Sequence, residues 1–509
     1  MTVSITSNYF TLDPSEKISE KLLAKGTGKP FRWETKKYGF GLEITSKGEI
    51  KGKIKPNYIF YLTDRYFETK VKVYDSNGNF DAKKIKLFFK LKTSLWMCGL
   101  NDKGQLGDGT TINRSSPVQT IVGGNDWQRV STRNGATAAI KTDGTLWTWG
   151  NNTYGQLNDG TFNHRSIPVG FTNSDKYHYW ARVSVGGKHA AGIYVMDSTG
   201  IGTDSPYFDL DNYITRDFTL LNVWGDNSFG QYGLNHTINI LGGSSLIAKW
   251  PDPVWIDVVC GENHILGLKS NGTLWAWGDN QYGQLGDGTT ISRSSPVQVG
   301  LGNFNWRMLA KKAQNYCSGI ASENNLPPTT YYWGLNNKGQ LGDGTKINRS
   351  YPVKPKLKER AFNFFPALSE NNSTLSLVYG RQPVDGGLAG FGNNCYGEFG
   401  NNTTDCSGIP NPAIKIPTFI NNVDMKFKEV IAGQSIALLR HNDHLDDLNK
   451  NLHVYTWGLN TYGQLGDNTT INKSSPVQTV MNNAYWKTCD MGDHNFAGIK
   501  YNVEINSKE

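Results

Sequence analysis

Short runs in which apolar and polar residues alternate recur along most of the chain, and each run ends near a glycine-rich turn. In Leu146–Trp149 the order Leu-Trp-x-Trp places both tryptophans on one face of an extended strand. Asp143-Gly144 and Asn271-Gly272 stand before two such runs, and these dipeptides favour the positive φ of a two-residue hairpin. The alternation therefore predicts an all-β protein made of short antiparallel strands.

The strands belong to an internal repeat. The segment Gly-Leu-Asn-Asp-Lys-Gly-Gln-Leu-Gly-Asp-Gly-Thr at Gly99–Thr110 is the first of seven copies, of which those at Gly225 and Gly392 are degraded. The copies start 51 to 75 residues apart at Gly99, Gly150, Gly225, Gly278, Gly334, Gly392 and Gly458. A second segment, an aromatic residue followed by an apolar run, also occurs seven times. About 50 residues with roughly four strands is the size of one propeller blade.

The two segments are offset at the chain ends. No second segment stands before the first copy of the glycine-rich segment, and none of the glycine-rich copies follows the last second segment. We therefore expect the strand at Leu95–Cys98 to join the strands at Trp486–Lys500 in one sheet. The resulting prediction is a seven-bladed β-propeller that its N- and C-terminal strands close, which leaves no open sheet edge around the ring.

The unit Trp-Gly-x-Asn-x-x-Gly-Gln-Leu-Gly-Asp-Gly-Thr resembles the regulator of chromosome condensation repeat, over about residues 94–501. This resemblance implies a seven-bladed propeller. The family includes a nucleotide exchange factor for a small nuclear GTPase and many proteins without that activity. The chain has no recognisable GTPase-binding wedge and no basic DNA-binding tail, so the resemblance implies the fold and not the exchange activity.

Residues 1–93 share none of the repeat features. They contain Gly28–Trp33, Gly41–Ile44, Ser46–Gly52 and the hairpin signal Asp75–Asn79 in that order. This order is similar to the immunoglobulin-like, cadherin-like domain of bacterial and phage surface proteins. We therefore expect a small N-terminal β-sandwich over residues 1–93 and the propeller over residues 94–509.

Charge separates the same two parts. Residues 1–94 contain 19 Lys and Arg against 10 Asp and Glu, whereas the remainder contains 33 against 34. A nucleic-acid-binding propeller would carry its own basic face, so we expect no nucleic-acid partner. No apolar run approaches the ~18 residues of a membrane span, and Met1–Phe10 lacks the pattern of a secretory signal.

The sequence offers little catalytic chemistry. It contains no phosphate-binding loop, no His-Glu-x-x-His and no Gly-x-Ser-x-Gly motif. His189, His264 and His494 follow the glycine of the second segment, which indicates a shared structural role. The six cysteines form no Cys-x-x-Cys pair, although Cys395 and Cys406 lie near enough in sequence for a disulfide. We predict no catalytic residue, no metal, no cofactor and no enzyme activity.

Two insertions are the candidate partner-binding sites. Ser198–Thr219 contains Tyr207, Phe208 and Tyr213, and aromatic residues are enriched at interfaces. The segment that begins at His441 also contains Asp443 and His444. Packing of the first insertion on its own blade and solvation of the second are the plain alternatives.

These features leave four functional hypotheses. The favoured hypothesis is a structural or adhesive virion surface protein of a tailed phage, located in the virion, that binds protein partners or a host surface, with glycan as a further ligand class. It rests on the front module and on the missing signal peptide. The alternatives are an intracellular scaffold or exchange factor, and a secreted bacterial surface protein. An enzyme that uses the central funnel is the weakest.

Overall fold

The computed structural model describes residues 4–502 apart from 8, 14–15, 26–28, 56–64, 90–91, 123–125, 172–177, 197–217, 240–253, 301, 303, 357–361, 371, 380–386, 417–425, 442–453 and 482–484. The regular elements of this part of the chain are strands, with no helix among them. The prediction of an all-β fold is therefore confirmed.

Ten strands form the N-terminal module. They are β1 (Ser4–Ile5), β2 (Tyr9–Leu12), β3 (Lys17–Lys21), β4 (Ala24–Lys25), β5 (Arg32–Trp33), β6 (Lys36–Lys37), β7 (Leu42–Ile44), β8 (Glu49–Lys53), β9 (Arg65–Tyr74) and β10 (Phe80–Phe89). Two four-stranded sheets, in the orders β2-β10-β9-β5 and β3-β8-β7-β6, share one apolar core that includes Trp33, Ile50 and Leu87. The identity of this module as immunoglobulin-like and the division of the chain at residue 93 stay predictions.

Seven sheets follow, one for each blade. Blades 1 to 3 contain β13 (Trp127–Arg133), β14 (Ala136–Lys141), β15 (Leu146–Gly150) and β16 (Arg165–Phe171); β17 (His178–Val185), β18 (His189–Met196) and β19 (Phe218–Gly225); and β20 (Trp255–Cys260), β21 (His264–Lys269), β22 (Leu274–Gly278) and β23 (Arg293–Gln298). Blades 4 to 6 contain β24 (Phe304–Leu309), β25 (Tyr316–Glu323), β26 (Thr329–Gly334) and β27 (Arg349–Val353); β28 (Phe362–Leu368), β29 (Ser373–Tyr379), β30 (Gly387–Asn394) and β31 (Asp405–Ile416); and β32 (Lys426–Ala432), β33 (Ser435–His441), β34 (Val454–Gly458) and β35 (Lys473–Gln478).

Blade 7 combines both ends of the chain. Its strands are β11 (Thr93–Gly99), β12 (Arg114–Gln119), β36 (Tyr485–Met491) and β37 (Asn495–Tyr501). β11 pairs with β37 in antiparallel register from Thr93 opposite Tyr501 to Gly99 opposite Asn495. The predicted seven blades and the predicted closure by terminal strands are therefore confirmed.

The propeller has two distinct ends. On one end, which we call the repeat face, the turns between first and second strands adjoin the glycine-rich repeat loops, as where Asn151 N donates to Gly135 O. On the other end, the module face, the N-terminal module joins β11 at Thr93, and Asn502 N donates to Lys92 O. Tyr501 packs against the core of the module there.

The repeat motif ties each blade to the blade before it. The indole of the third-strand tryptophan donates to the backbone carbonyl of the preceding repeat loop in five blades, through Trp149, Trp224, Trp277, Trp333 and Trp457. The acceptors are the carbonyls of Gln105, Gln156, Gln231, Gln284 and Glu398, at 2.6 to 2.9 Å. Because the loops approach so closely, a Cβ on Gly104, which has φ +77°, would lie 2.4 Å from Ser166 Cα.

Candidate functional site at the propeller axis

The first strand of each blade lines the axis, and one position on it is polar in most blades. This position lies two residues after the strand's aromatic residue and carries Arg129, Arg182, Asp257, Glu429 and Thr488. In each of these strands the register shifts at the preceding residue, as a β-bulge does. The bulge gives charged side chains a place at the axis without removing the apolar residues that fill the blades.

One irregular turn closes the axis on the repeat face. The turn between β24 and β25 spans residues 310–315, whereas the corresponding turn of blade 1 has only Asn134 and Gly135. We call residues 310–315 the axial plug. Its Lys312 Nζ donates to Thr132 O of blade 1 at 2.6 Å and to Met491 O of blade 7, and lies 3.4 Å from Asp490 Oδ1. The plug of blade 4 therefore binds the opposite side of the ring.

Arg133 of blade 1 also helps to cover the axis at the repeat face. Its side chain is 1% exposed. Its Nη1 donates to Ala313 O at 2.6 Å and its Nη2 to Gln314 Oε1, both in the plug. Nη2 also donates to Glu262 Oε2 of blade 3 at 2.9 Å. A single guanidinium thus joins blades 1, 3 and 4, because its planar fork presents several donors at once.

Two carboxyl groups lie beside Arg133. Glu370 Oε1 is 3.4 Å from Arg133 Nε. Burial raises the pKa of Glu370 well above its usual value, and the hydrogen bond with Asp493 raises it further. The pKa of Asp493 is lowered because, although burial opposes ionisation, the bond from Glu370 and the nearby Arg133 and Lys312 favour the carboxylate. Glu370 is therefore the carboxyl group that keeps its proton, and it donates a hydrogen bond to the Asp493 carboxylate.

A second charged layer lies deeper along the axis, and we call it the axial cup. Lys311 Nζ forms an ion pair with Glu429 Oε1 of blade 6 and donates to Thr488 Oγ1 of blade 7 at 3.0 Å. Arg182 Nε lies 3.8 Å from Asp257 Oδ1 of the next blade. Burial raises the pKa of Asp257, while Arg182, Arg129 and Lys311 oppose that rise. The cup therefore concentrates charges of both signs around the axis.

The buried histidines and cysteines behave as core residues. His264 Nε2 lies 3.1 Å from Cys317 Sγ, an arrangement that resembles a nucleophile and its base. Burial lowers the pKa of His264 to about 3 and raises that of Cys317 well above its usual value, so both groups are neutral. Among the described residues no group of three His, Cys, Asp or Glu is arranged to hold a metal ion.

The histidines are not all equivalent, which corrects the sequence analysis. His189 and His264 each pair with the last glycine of their third strands. In blade 7 the residue that pairs with Gly99 is Asn495, and His494 lies one position earlier, in the turn. The register therefore places His494 with Lys188 and not with His189.

The repeated aspartates hold the glycine-rich loops through hydrogen bonds. Asp108 Oδ1 accepts from Thr110 N at 3.0 Å and from Thr110 Oγ1 at 2.7 Å, and its Oδ2 accepts from Arg114 Nε at 3.0 Å. Equivalent bonds hold the loops at Asp159, Asp287 and Asp343. These carboxylates cap loop amides, so they belong to the scaffold.

The predicted partner-binding residues fall largely outside the described residues. This applies to Tyr207, Phe208, Tyr213, Asp443 and His444. The backbone of His441 ends β33, opposite Lys426. The strand ends that precede and follow the two insertions, in β18 and β19 and in β33 and β34, lie at the module face. The structure pairs Cys395 with Cys406 in a disulfide.

The sequence analysis did not identify the axial residues. Two signals were available. The position after the bulge carries Arg, Asp or Glu in blades 1, 2, 3 and 6, and blade 4 has three more residues in its first turn than blade 3. Neither signal shows which side chains meet, because the contacts join residues that lie about 180 positions apart in the sequence.

Comparison with known families identifies the repeats. The family model described as the regulator of chromosome condensation (RCC1) repeat matches residues 94–140, 143–193, 271–311, 329–363 and 453–494, and a second model of the same description matches residues 255–284. The chain therefore contains RCC1 repeats.

Individual relatives agree with this RCC1 assignment. The chain is 26% identical to the ultraviolet-B receptor UVR8 of Arabidopsis thaliana, over 50% of this chain and 52% of that protein. It is 23% identical to the X-linked retinitis pigmentosa GTPase regulator homologue of Caenorhabditis elegans, over 54% of this chain and 21% of that protein. The match therefore spans about half or less of the length of these relatives.

Solved structures show the same RCC1 propeller. Prp20p of Saccharomyces cerevisiae, described with its binding to Gsp1p and histones, has a TM-score of 0.60 at 18% identity, over 82% of this chain and 93% of that one. Human WBSCR16 has a TM-score of 0.61 at 18% identity, over 81% and 100% of the two chains. At these identities the likeness concerns the fold alone.

These relatives overturn two predictions. The prediction of a tailed-phage surface protein is wrong, and so is the predicted location in a virion. The chain contains RCC1 repeats, and the relatives named above are a plant protein and an animal protein. The wrong prediction relied on the front module and on a missing signal peptide.

No helix of the described residues is long and apolar enough to cross a membrane.

Proposed function

We propose that this RCC1-repeat protein is a non-enzymatic scaffold that binds protein partners through the repeat face of its propeller. The observation that carries this proposal is a set of exposed isoleucines at one repeat position. Their side chains are 60 to 69% exposed, and they are Ile112, Ile238, Ile291, Ile347 and Ile471. We call them the isoleucine ring. Apolar side chains that repeat around one face offer a partner protein apolar area to remove from water.

A buried asparagine side chain of the repeat loop holds the backbone of each isoleucine in place. The buried Asn101 donates its Nδ2 to Ile112 O at 3.2 Å and accepts from Leu106 N at 2.9 Å. The same bond to the isoleucine carbonyl is made by Asn280 and Asn336, at 3.1 and 3.0 Å. Side chains on a loop that is already ordered lose little entropy on binding, and this preorganisation supports a binding role.

Neither the charged side chains at the axis nor the buried Cys317–His264 pair favours an enzyme. Arg133 and Lys312 use their donors to join blades, and the Cys317–His264 pair is neutral. The match to the RCC1 family covers the repeats alone. Absence of catalysis therefore remains part of the proposal.

Affinity purification with a matched pair of variants tests the scaffold role. The triple variant Ile291→Asn, Ile347→Asn and Ile471→Asn removes three members of the isoleucine ring and should lose the proteins that the natural chain retains. The control replaces Phe80 and Leu23 of the N-terminal module, which are exposed to a similar extent, with Asn. The proposal would be wrong if the triple variant, with an unchanged melting temperature, recovered every partner in the same amount as the natural chain.

An exchange factor for a small GTPase is the second candidate. The fold likeness to Prp20p, whose structure was described with its binding to Gsp1p, favours it. The test is release of a fluorescent guanine nucleotide from a Gsp1p-type GTPase. A rate that rises with the concentration of the chain would establish this candidate, and an unchanged rate would leave the scaffold role alone.

A further inference from the structure

The repeat loop of blade 5 lacks the ion pair that holds most of the other repeat loops. In five loops an aspartate pairs with a basic residue across the base of the loop, as Asp108 does with Arg114 in blade 7. In blade 5 the position of this aspartate carries Asn401. The register also differs, because Ile409 lies opposite the last glycine of the third strand, where blade 7 has Arg114. Blade 5 therefore cannot form the ion pair of the repeat.

A disulfide closes this loop instead. It joins Cys395 to Cys406. Cys406 is exposed and Cys395 is partly buried, so a thiol in solution can reach the bond. The other four cysteines are thiols buried within the blades, namely Cys98, Cys260, Cys317 and Cys489. Thiol chemistry under native conditions is therefore directed to the loop of blade 5, because exchange requires access to the sulfur.

The first half of the loop is held independently of the disulfide. Asn394 Nδ2 donates to Thr403 O at 3.0 Å, which is the bond that the buried asparagine makes in the other repeat loops. Asn402 N donates to Ser474 O of blade 6 at 2.7 Å. Residues 401–403 should therefore keep their place whatever the state of the cysteines.

The second half of the loop, residues 404–408, leans on the repeat loop of blade 4. Lys338 Nζ donates to Cys406 O at 3.1 Å, and Lys346 Nζ donates to Ser407 O at 2.6 Å. Both bonds are exposed to solvent, where water competes for donor and acceptor, so each contributes little by itself. Lys346 directly precedes Ile347 of the isoleucine ring. The disulfide is therefore the strongest link that holds this half of the loop against blade 4.

We propose that the Cys395–Cys406 disulfide is a site of reversible thiol–disulfide exchange with a dithiol, and that its reduction releases residues 404–408 from the repeat loop of blade 4. A repeat loop with an Asp–Arg pair keeps its lock under reducing conditions, whereas the loop of blade 5 loses it. This inference goes beyond the scaffold role, and it stands whether or not the isoleucine ring binds a partner.

The exchange proceeds through a mixed disulfide. A thiolate of the dithiol attacks the exposed Cys406 Sγ, and the Cys395 sulfur leaves as a thiolate. The second thiolate of the reductant attacks its own bound sulfur, which releases the Cys406 thiolate and closes the reductant as a cyclic disulfide. Two electrons pass to the cysteine pair, and each cysteine thiolate takes up a proton that the dithiol gave up. Oxidised glutathione reverses the step and leaves as two molecules of the thiol.

Hydrogen–deuterium exchange of the full chain, before and after equilibration with excess dithiothreitol, tests the inference. Two thiols should become reactive towards a thiol reagent without denaturant. Exchange at residues 404–408 should rise about tenfold, as expected for the loss of one or two solvent-facing hydrogen bonds. Residues 108–114, which the Asp108–Arg114 pair holds, are the internal control and should exchange as before. Oxidised glutathione should restore slow exchange.

A double variant separates reduction of this bond from other effects of the reductant. In Cys395→Ser with Cys406→Ser, residues 404–408 should exchange fast with or without dithiothreitol. Two reactive thiols with unchanged exchange at residues 404–408 would overturn the inference, and so would a bond that excess dithiothreitol leaves intact or that oxidised glutathione does not restore. An equal rise at residues 108–114 would also overturn it, because it would show general loosening of the propeller. The natural chain decides these outcomes even if the double variant does not fold.

Discussion

The indole of Trp277 provides a direct measure of what one repeated side chain contributes. Its Nε1 donates to Gln231 O at 2.6 Å in a buried position between blades 2 and 3. Trp277→Phe keeps most of the apolar contact but leaves that carbonyl without its donor. We expect a loss of about 1–3 kcal/mol in the free energy of unfolding, measured by urea denaturation.

Trp275 on the same strand is the matched control. Its Nε1 donates to the side chain of Thr273, in a partly exposed position where water can replace the bond. Trp275→Phe should therefore cost less than Trp277→Phe. Equal losses would show that ring volume, and not the indole donor, accounts for the effect.

The buried His189 predicts how stability responds to acid. Burial lowers its pKa to about 4, with Arg133 contributing, whereas its value in an unfolded chain is about 6.5. Because the folded state disfavours the protonated ring, stability is complete above about pH 6.5 and declines as the pH falls towards 4. His189→Gln should reduce the decline in unfolding free energy between pH 6.5 and 4.5. An identical decline in the variant would contradict this assignment.

At the scale of single elements, the axial plug should stabilise the ring through Lys312. This lysine is buried with Asp490 and two backbone carbonyls. Lys312→Met leaves the Asp490 carboxylate without its cation, which should lower the free energy of unfolding by about 3 kcal/mol. Lys311→Met, which removes a half-exposed ion pair, should cost less than about 1 kcal/mol. The reverse order in chemical denaturation would show that the plug does not lock the axis.

The strands of blade 7 that come from the chain's C-terminal end make a second prediction at this scale. Deletion of residues 485–509 removes β36 and β37, and leaves Leu95 and Met97, which are fully buried, without their partner strand. We expect the cooperative thermal transition of the propeller to be lost, because β11 then lacks the strands that complete its blade. A truncated chain that melts like the full one would contradict the closure.

For the whole molecule, the sequence predicts the ring far better than the site. Seven copies of one motif are a local signal, and the offset between Leu95 and Trp486 shows where the ring closes. No comparable sequence signal shows that Arg133 contacts Gln314. This contact depends on the distance at which the seven blades hold their first strands from one another. The prediction of the function was wrong for another reason. The front module was given more weight than the repeats that make up most of the chain.

Hydrogen–deuterium exchange on the chain in complex with a partner that it retains is the most direct test of the scaffold role. If the repeat face binds the partner, exchange should be slower in the repeat loops that carry the isoleucine ring, at residues 108–114, 287–293, 343–349 and 467–473, with the module face unchanged. Protection confined to the N-terminal module, with the repeat loops exchanging as in the free chain, would contradict it.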